Sequence, residues 1–463
     1  EEVQVMTGGY SAEFGRSTGG VFNVITKSGS NDFRGEVFGY FQDDSWTSDR
    51  IGREQKGTEF SVDRTESMDF GLALGGPIMR DRLWFFGAYN PSRRTIDIGE
   101  ASPIIGDPAT ELEQDTDYYA GKLTFALTPN HNLVGTVFGD PTTQDGWLIR
   151  GLTAVPAEEG AALRKADIGS NNYNVRYNGI ITQNWLMEAN IGRHERDNTL
   201  GPATDLGANI PRQIDETCCG GFNRGGFQRF QSDKSQRDAW AVKFSNFLSQ
   251  HELRYGLDVE NNDYSADLHE TWYRWFGTRM QEREYFVQGA GETANEAFFI
   301  QDQWKLRPNL QFNLGVRYER QNMTSARGVY VSSLSDLSDI ELVDDFTLDN
   351  NWAPRLGVVW DPLNNGRSKV YGYIGRFFEA IPLDLNIRAL NGEDYIISYY
   401  YYVGDDSGDF WFNPGGNPLP AEDPTSRPNR DTRDAADGRR RPLRGPDHPR
   451  RPHHLRQPNP PME

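Results

Sequence analysis

The 463-residue chain has only two cysteines, Cys218 and Cys219, and they are adjacent. That excludes a thiol-rich metal site and leaves the pair as a feature of a surface loop, either oxidised or idle. No run of 18 or more apolar residues occurs, which excludes a helical membrane protein. Positive charge is in deficit, with 48 Lys and Arg against 67 Asp and Glu, and a net charge of -19 argues against a nucleic-acid partner. Catalytic signatures are missing too: there is no G-x-S-x-G, no H-E-x-x-H and no phosphate-binding glycine loop. No enzyme activity, metal or cofactor is therefore expected. The start at Glu1 shows neither a charged n-region nor an apolar h-region, so no signal peptide is visible.

What the chain does have is glycine (48 residues), aromatics (12%) and a two-residue alternation. Its mean hydropathy of -0.71 still permits a transmembrane β-barrel, because each strand alternates lipid-facing with lumen-facing residues and averages to polar. Phe70, Leu72 and Leu74 oppose Asp69, Gly71, Ala73 and Gly75. Leu253, Tyr255, Leu257 and Val259 oppose Arg254, Gly256 and Asp258, and Leu310 to Tyr318 alternate in the same way with Gln311 to Glu319. These runs of about nine to eleven residues suit a tilted crossing of a bilayer rather than an ordinary strand. Short connections at 76–82, 128–131, 182–184, 248–250, 307–309 and 361–367 alternate with long polar ones at 42–66, 92–115, 141–170, 196–236, 262–294 and 321–350, as short inner turns and long outer loops require. The count is thirteen strands, with a possible fourteenth at Asp394–Val403. Trp84, Trp185, Trp304, Trp352, Trp360 and Tyr399–Tyr402 near strand ends fit headgroup level. The competing reading is a surface adhesion or carbohydrate-binding protein of β-sandwiches, in which the same alternation would cover a dry core.

The stretch AEFGRSTGGVFNVITKSGSNDFRGEVFGYF from Ala12 joins two kinds of structure. Val21–Thr26 reads as a short strand buried on both faces, and Ser28–Asp32 breaks it. This stretch, with FGLALGGPIMRDRLWFFGAYN from Phe70, AFFIQDQWKLRPNLQFNLGVRYERQ from Ala297 and NWAPRLGVVWDPLNNGRSKVYGYIGRFF from Asn351, resembles the TonB-dependent outer-membrane receptors of the Oar-like group. The resemblance implies that residues 1–30 are the C-terminal end of a plug domain and that 31–405 are part of an outer-membrane β-barrel. It implies lipid, the TonB complex and an unidentified small molecule, oligosaccharide or peptide ligand as partners, with energised uptake as the activity. Large plugged transporters close with about 22 strands, so the chain is expected to be truncated, without the segment that TonB grips. Glu13 and Arg16 are, on the same resemblance, candidates for a charged latch between plug and wall; the alternative is a solvated turn.

Several other features stay secondary. Asp43-Asp44, Asp344-Asp345 and Asp405-Asp406 fall in external loops and are either calcium ligands or simply solvated acids. GGFNRGGFQRF from Gly220 has the composition of an RGG run but sits between strands, so it reads as a flexible loop. The last segment, 406–463, changes material: Pro424–Glu463 holds nine prolines, ten arginines, no lysine and no aromatic, and is expected to be disordered, its composition that of a shifted reading frame.

Overall fold

In the computed structural model of the chain the described residues are 2–46, 62–98, 110–148, 163–209, 212–215, 222–224, 226–227, 229–276, 279–326, 345–388, 393–402 and 411–412. Cys218, Cys219, Asp344, Asp405, Asp406 and the 424–463 tail lie outside them. Among the described residues no helix is long and apolar enough to cross a membrane. Two strands, β1 (Glu2–Met6) and β2 (Val21–Ile25), pair only with each other. The rest form a single 19-stranded sheet.

The sheet advances strand by neighbouring strand. β3 (Arg34–Asp43), β4 (Val62–Met79), β5 (Leu83–Ile98) and β6 (Thr110–Thr128) pair antiparallel in succession. β6 then pairs along its two halves with β7 (His131–Gly139) and β8 (Thr142–Leu148), which are one strand bent at Asp140-Pro141. β9 (Leu163–Ile168) and β10 (Ser170–Thr182) are likewise one strand bent at Gly169. Gly169 has φ +128, and a Cβ there would lie 2.5 Å from the Asp140 carbonyl oxygen, so only glycine fits where the two bends meet. Both halves continue into β11 (Trp185–Pro202). The small β12 (Arg212–Asp215) and β13 (Phe222–Arg224) form a ribbon against the far end of β15. The order then runs β14 (Arg229–Leu248), β15 (His251–Phe276), β16 (Arg279–Arg307), β17 (Leu310–Ala326), β18 (Asp345–Trp360) and β19 (Val370–Gly375). Among the described residues no ladder joins β19 to β3.

The polarity of the sheet is inverted relative to a dry-core protein. Along β18, Trp352, Pro354 and Leu356 are exposed while Ala353, Arg355 and Gly357 are buried. β16 repeats the pattern, with Phe298 and Ile300 exposed between buried Asn295, Ala297, Phe299 and Gln301. Phe70, Leu257 and Leu314, predicted to point outward, are 47%, 52% and 40% exposed. Transferring such apolar area from water to hydrocarbon is favourable by roughly 25 cal/mol per Å2, so this face requires lipid to cover it. Outward aromatics gather near the short turns, where Trp185, Phe244 and Tyr255 stack at 5.7 and 5.4 Å. A second outward group, Phe298, Tyr318 and Trp352, lies farther along the strands. Trp352 and Trp360 stand about 27 Å apart along β18 at the usual strand rise, near the height of an apolar band. A sandwich, with its apolar side chains between two sheets, is not what forms.

Three expectations are corrected. Val21–Thr26 is not buried on both faces: Phe22 and Val24 of β2 are 73% and 62% exposed, because the two-stranded ribbon has nothing stacked on it among the described residues. The described parts of the long polar connections are largely strand. β15 and β16 pair from His251↔Trp304 to Phe276↔Arg279, so 262–276 and 279–294 form a ladder rather than a loop. Polar residues on both faces do not break backbone pairing; they only mark where the sheet leaves the apolar layer. The possible fourteenth strand, β20 (Glu393–Tyr402), does not extend the wall beyond β19 but pairs with the outer half of β16 and carries β21 (Trp411–Phe412). β17 stops opposite Ala290, which leaves that edge of β16 free to pair.

Candidate functional site

One face of the wall is occupied by the N-terminal segment, and strand parity fixes which face. Gln301, Arg317 and Arg355 point to the segment, whereas their neighbours Ile300, Leu314 and Leu356 are exposed on the opposite side. The segment enters at Tyr10, which is 5% exposed beneath Arg355 and against Phe377, with ring centroids 4.8 Å apart. The Arg355 guanidinium lies over both rings and donates to the Tyr10 and Ser11 carbonyls at 3.3 and 2.5 Å. Tyr373 on β19 donates to the same Tyr10 carbonyl at 3.2 Å. Ala12 is fully buried, its amide donating to Gln301 Oε1 at 2.5 Å.

The charged centre follows. Glu13 bridges β14 and β15, its carboxylate 3.2 Å from both Lys243 Nζ and Arg254 Nη1. Arg16 reaches Asp258 at 2.7 Å and Glu260 at 3.6 Å on β15, and its amide donates to Glu319 Oε1 at 3.1 Å. Beneath them lies Arg317, 1% exposed. It pairs with Asp258 at 2.8 Å and with Glu319 at 2.7 Å, and donates to the Glu13 carbonyl at 3.4 Å. A charge buried that deeply is tolerable only when paired on several sides, as here. Gly15 makes the approach possible: a Cβ there would collide with Glu319 Oε1 and Arg317 Nε.

Protonation follows from this packing. Burial pushes the Glu13 carboxyl upward, but Lys243, the Ser11 hydroxyl and Arg254 outweigh it and hold the group below the usual glutamate range. Burial works against the Arg16 cation, and Asp258 and Glu260 more than restore it. Both are charged at neutral pH.

Glu13 and Arg16 were the two candidates named from the sequence, and the structure sets each against opposite charges on the wall. Their partners were legible only as charged positions alternating with outward apolar ones, since nothing in the order of residues pairs Glu13 with Lys243 some 230 positions away. Asp43 and Asp44, candidates for calcium, are separated from any third ligand: among the described residues no group of three or more His, Cys, Asp or Glu is placed to hold a metal ion. Residues 222–224 of the glycine-rich run form β13. Farther along the segment Lys122 on β6 donates to the Thr26 carbonyl at 3.2 Å, and Asn31 accepts from Trp84 Nε1 at 2.8 Å. The segment therefore touches both arcs of the wall, with its charged grip on β14–β18.

Comparison with known proteins agrees with this architecture. The family model for the outer membrane beta barrel domain matches residues 25–103 and 276–441. The TonB-dependent transporter Oar of Myxococcus xanthus is 28% identical over 501 aligned positions, spanning 86% of this chain and 45% of the relative. The chain thus spans about half the length of the curated relative it matches. Among solved structures, the outer membrane transporter YddB of Escherichia coli superposes with a TM-score of 0.56 at 14% identity, covering 89% of this chain and 55% of the transporter. The ferripyoverdine receptor of the outer membrane of Pseudomonas aeruginosa gives 0.52 at 12% identity, covering 85% and 50%.

Proposed function

Because the chain belongs to the outer membrane beta barrel domain family and resides in the bacterial outer membrane, we propose that it serves as the receptor part of an energised uptake system. On this reading residues 1–30 are the end of a plug and 31–405 part of the surrounding barrel, the external ends of the long strands capture a ligand, and the TonB complex delivers work to the plug. The physical need is clear: the outer membrane has no ATP and holds no ion gradient, so concentrating a solute across it requires force supplied from the inner membrane. The observation that carries the proposal is the position of the segment Tyr10–Arg16 on the inner face, held by ion pairs that are individually breakable. The likeness to a TonB-dependent transporter over 86% of this chain supports the same reading.

The test is energy-dependent exposure. In cells displaying a Glu13→Cys variant, a membrane-impermeant maleimide should label position 13 faster when the proton gradient is intact than after a protonophore, and the difference should vanish without TonB. Labelling that is equal in all three conditions would refute energised movement of the segment.

A further inference from the structure

The wall opposite the charged grip carries a cavity that the N-terminal segment leaves open. Its volume is about 340 Å3, and it is lined by residues of β5, β6, β7 and β10. Ala88, Ala120, Phe138 and Asn172 lie on the inner face, because they are cross-strand partners and Ala120 shares its parity with Lys122, which reaches Thr26 of the segment. Tyr118 and Asn90 share that parity, while Tyr89 and Tyr119, which also border the cavity, have the opposite one. The two alanines make the floor. Tyr118 and Phe138 stand on it, each 47% exposed. Unlike the inner-face rings of Trp84 and Tyr373, which hydrogen-bond to the N-terminal segment, and of Phe299, which is buried, these two stay half-exposed, which is unfavourable in water.

The polar groups around the rings indicate what would cover them. Asn90 and Asn172 bring amides to the rim; Asn172 Oδ1 is engaged by His194 at 2.8 Å, while Asn90 donates to the Phe70 carbonyl at 3.0 Å. Among the described residues the one charged group lining the cavity is Asp140, whose carboxylate accepts from the Ser170 amide and hydroxyl, both at 2.8 Å. No lysine or arginine among the described residues lines it. An anionic ligand would meet a carboxylate and no counter-charge. A neutral ligand that presents a flat C–H face to an aromatic ring and hydroxyls to amides fits all of these features.

We propose that this cavity is a subsite for a neutral oligosaccharide, with one sugar ring stacked on Tyr118 and Phe138 above the Ala88 and Ala120 floor. The proposal names a substrate class for the uptake reading and rests on it. Binding is nevertheless measured without energy or TonB, so it can fail while the labelling experiment succeeds, and the reverse.

The test is saturation-transfer NMR and calorimetry on the protein in detergent micelles, with maltohexaose and cellohexaose as neutral probes and a galacturonate hexamer as their anionic counterpart. Saturable binding of at least one neutral probe is expected, weakened about tenfold by Tyr118→Ala and by Phe138→Ala. Ala120→Leu, which fills the floor, should abolish it, and the galacturonate hexamer should bind at least tenfold more weakly. Retained heat-modifiable gel mobility shows that each variant is folded. The proposal is overturned if neither neutral probe binds, if the galacturonate hexamer binds more tightly, or if the folded variants bind as the parent does.

Discussion

Replacing Arg317 by Met tests whether the N-terminal segment is held by charge. The side chain is 1% exposed, and its guanidinium joins Asp258, Glu319 and the Glu13 carbonyl. Methionine fills much of the volume but leaves Asp258 to Arg16 alone and Glu319 to the Arg16 amide. Removing one partner of a buried pair costs about 3–5 kcal/mol, because the carboxylates stay desolvated. These pairs lie within the wall, on β17 and β15, but the segment packs over them at Gly15. The cost of the unpaired carboxylates is therefore felt while the segment covers them and is relieved when it lifts, whereas the ladders are backbone hydrogen bonds. Hydrogen exchange in micelles reads it directly: at about 1.4 kcal/mol per decade, the Ala12 and Arg16 amides should exchange on the order of 100-fold faster or more, while amides of the β4–β5 ladder keep their rates. The comparison variant is Arg193→Met. Its pair with Asp238 is short at 2.6 Å but exposed on both sides, so it should change exchange by less than about fivefold. A change below tenfold for Arg317→Met, or one shared equally by β4–β5, would refute the assignment of the buried ion pairs as the holding element.

Gly15→Ala should release the same segment without removing a charge, since the added methyl collides with Glu319 and Arg317; protease cleavage between residues 10 and 30 should accelerate at least tenfold, and an unchanged rate contradicts the close approach. Leu257→Arg places a cation on the outward face and should cost about 2–4 kcal/mol of membrane-embedded stability, read as reduced recovery in the outer-membrane fraction, whereas Ala241→Ser, opposite Asp258 on the inner face, should recover normally. The pH response follows from Glu13, whose carboxyl is held below its ordinary value: its contribution is complete above about pH 4.5 and is lost only as pH falls through the depressed value. Segment protection should therefore be flat from about pH 5 to 8 and drop in stronger acid; a drop near pH 6 would implicate a different group.

Most of the wall was legible because its signal is local. Leu310 to Tyr318 declares its outward side within one strand, and each short turn appears as a break such as Pro308-Asn309 between strands. The outer halves of β15 and β16 were not legible, because periodicity of apolar residues disappears where both faces are wet, although the ladder continues. The β20 pairing was hidden for another reason: it depends on where β17 stops, which is a property of a neighbour. At the site, Glu13 and Arg16 were visible as a charged turn, but their partners came from three strands, β14, β15 and β17, and Gly15 gave no hint that a guanidinium would sit where a methyl would have been. Tyr118 and Phe138 are set on the inner side by cross-strand register, which no local pattern of residues specifies.

The order of attachments along the N-terminal segment also sets how it would come away. Tyr10 on Arg355, Ala12 on Gln301, Glu13 on Lys243 and Arg254, and Arg16 on Asp258 are met one after another. Tension applied from the Glu1 end loads them in series, as a zipper is opened, and never all together as in a shear joint. The force needed is then set by the single strongest station rather than by their sum, so a modest pull sustained over a short stroke suffices. What looks like a heavily anchored segment is mechanically compliant in one direction.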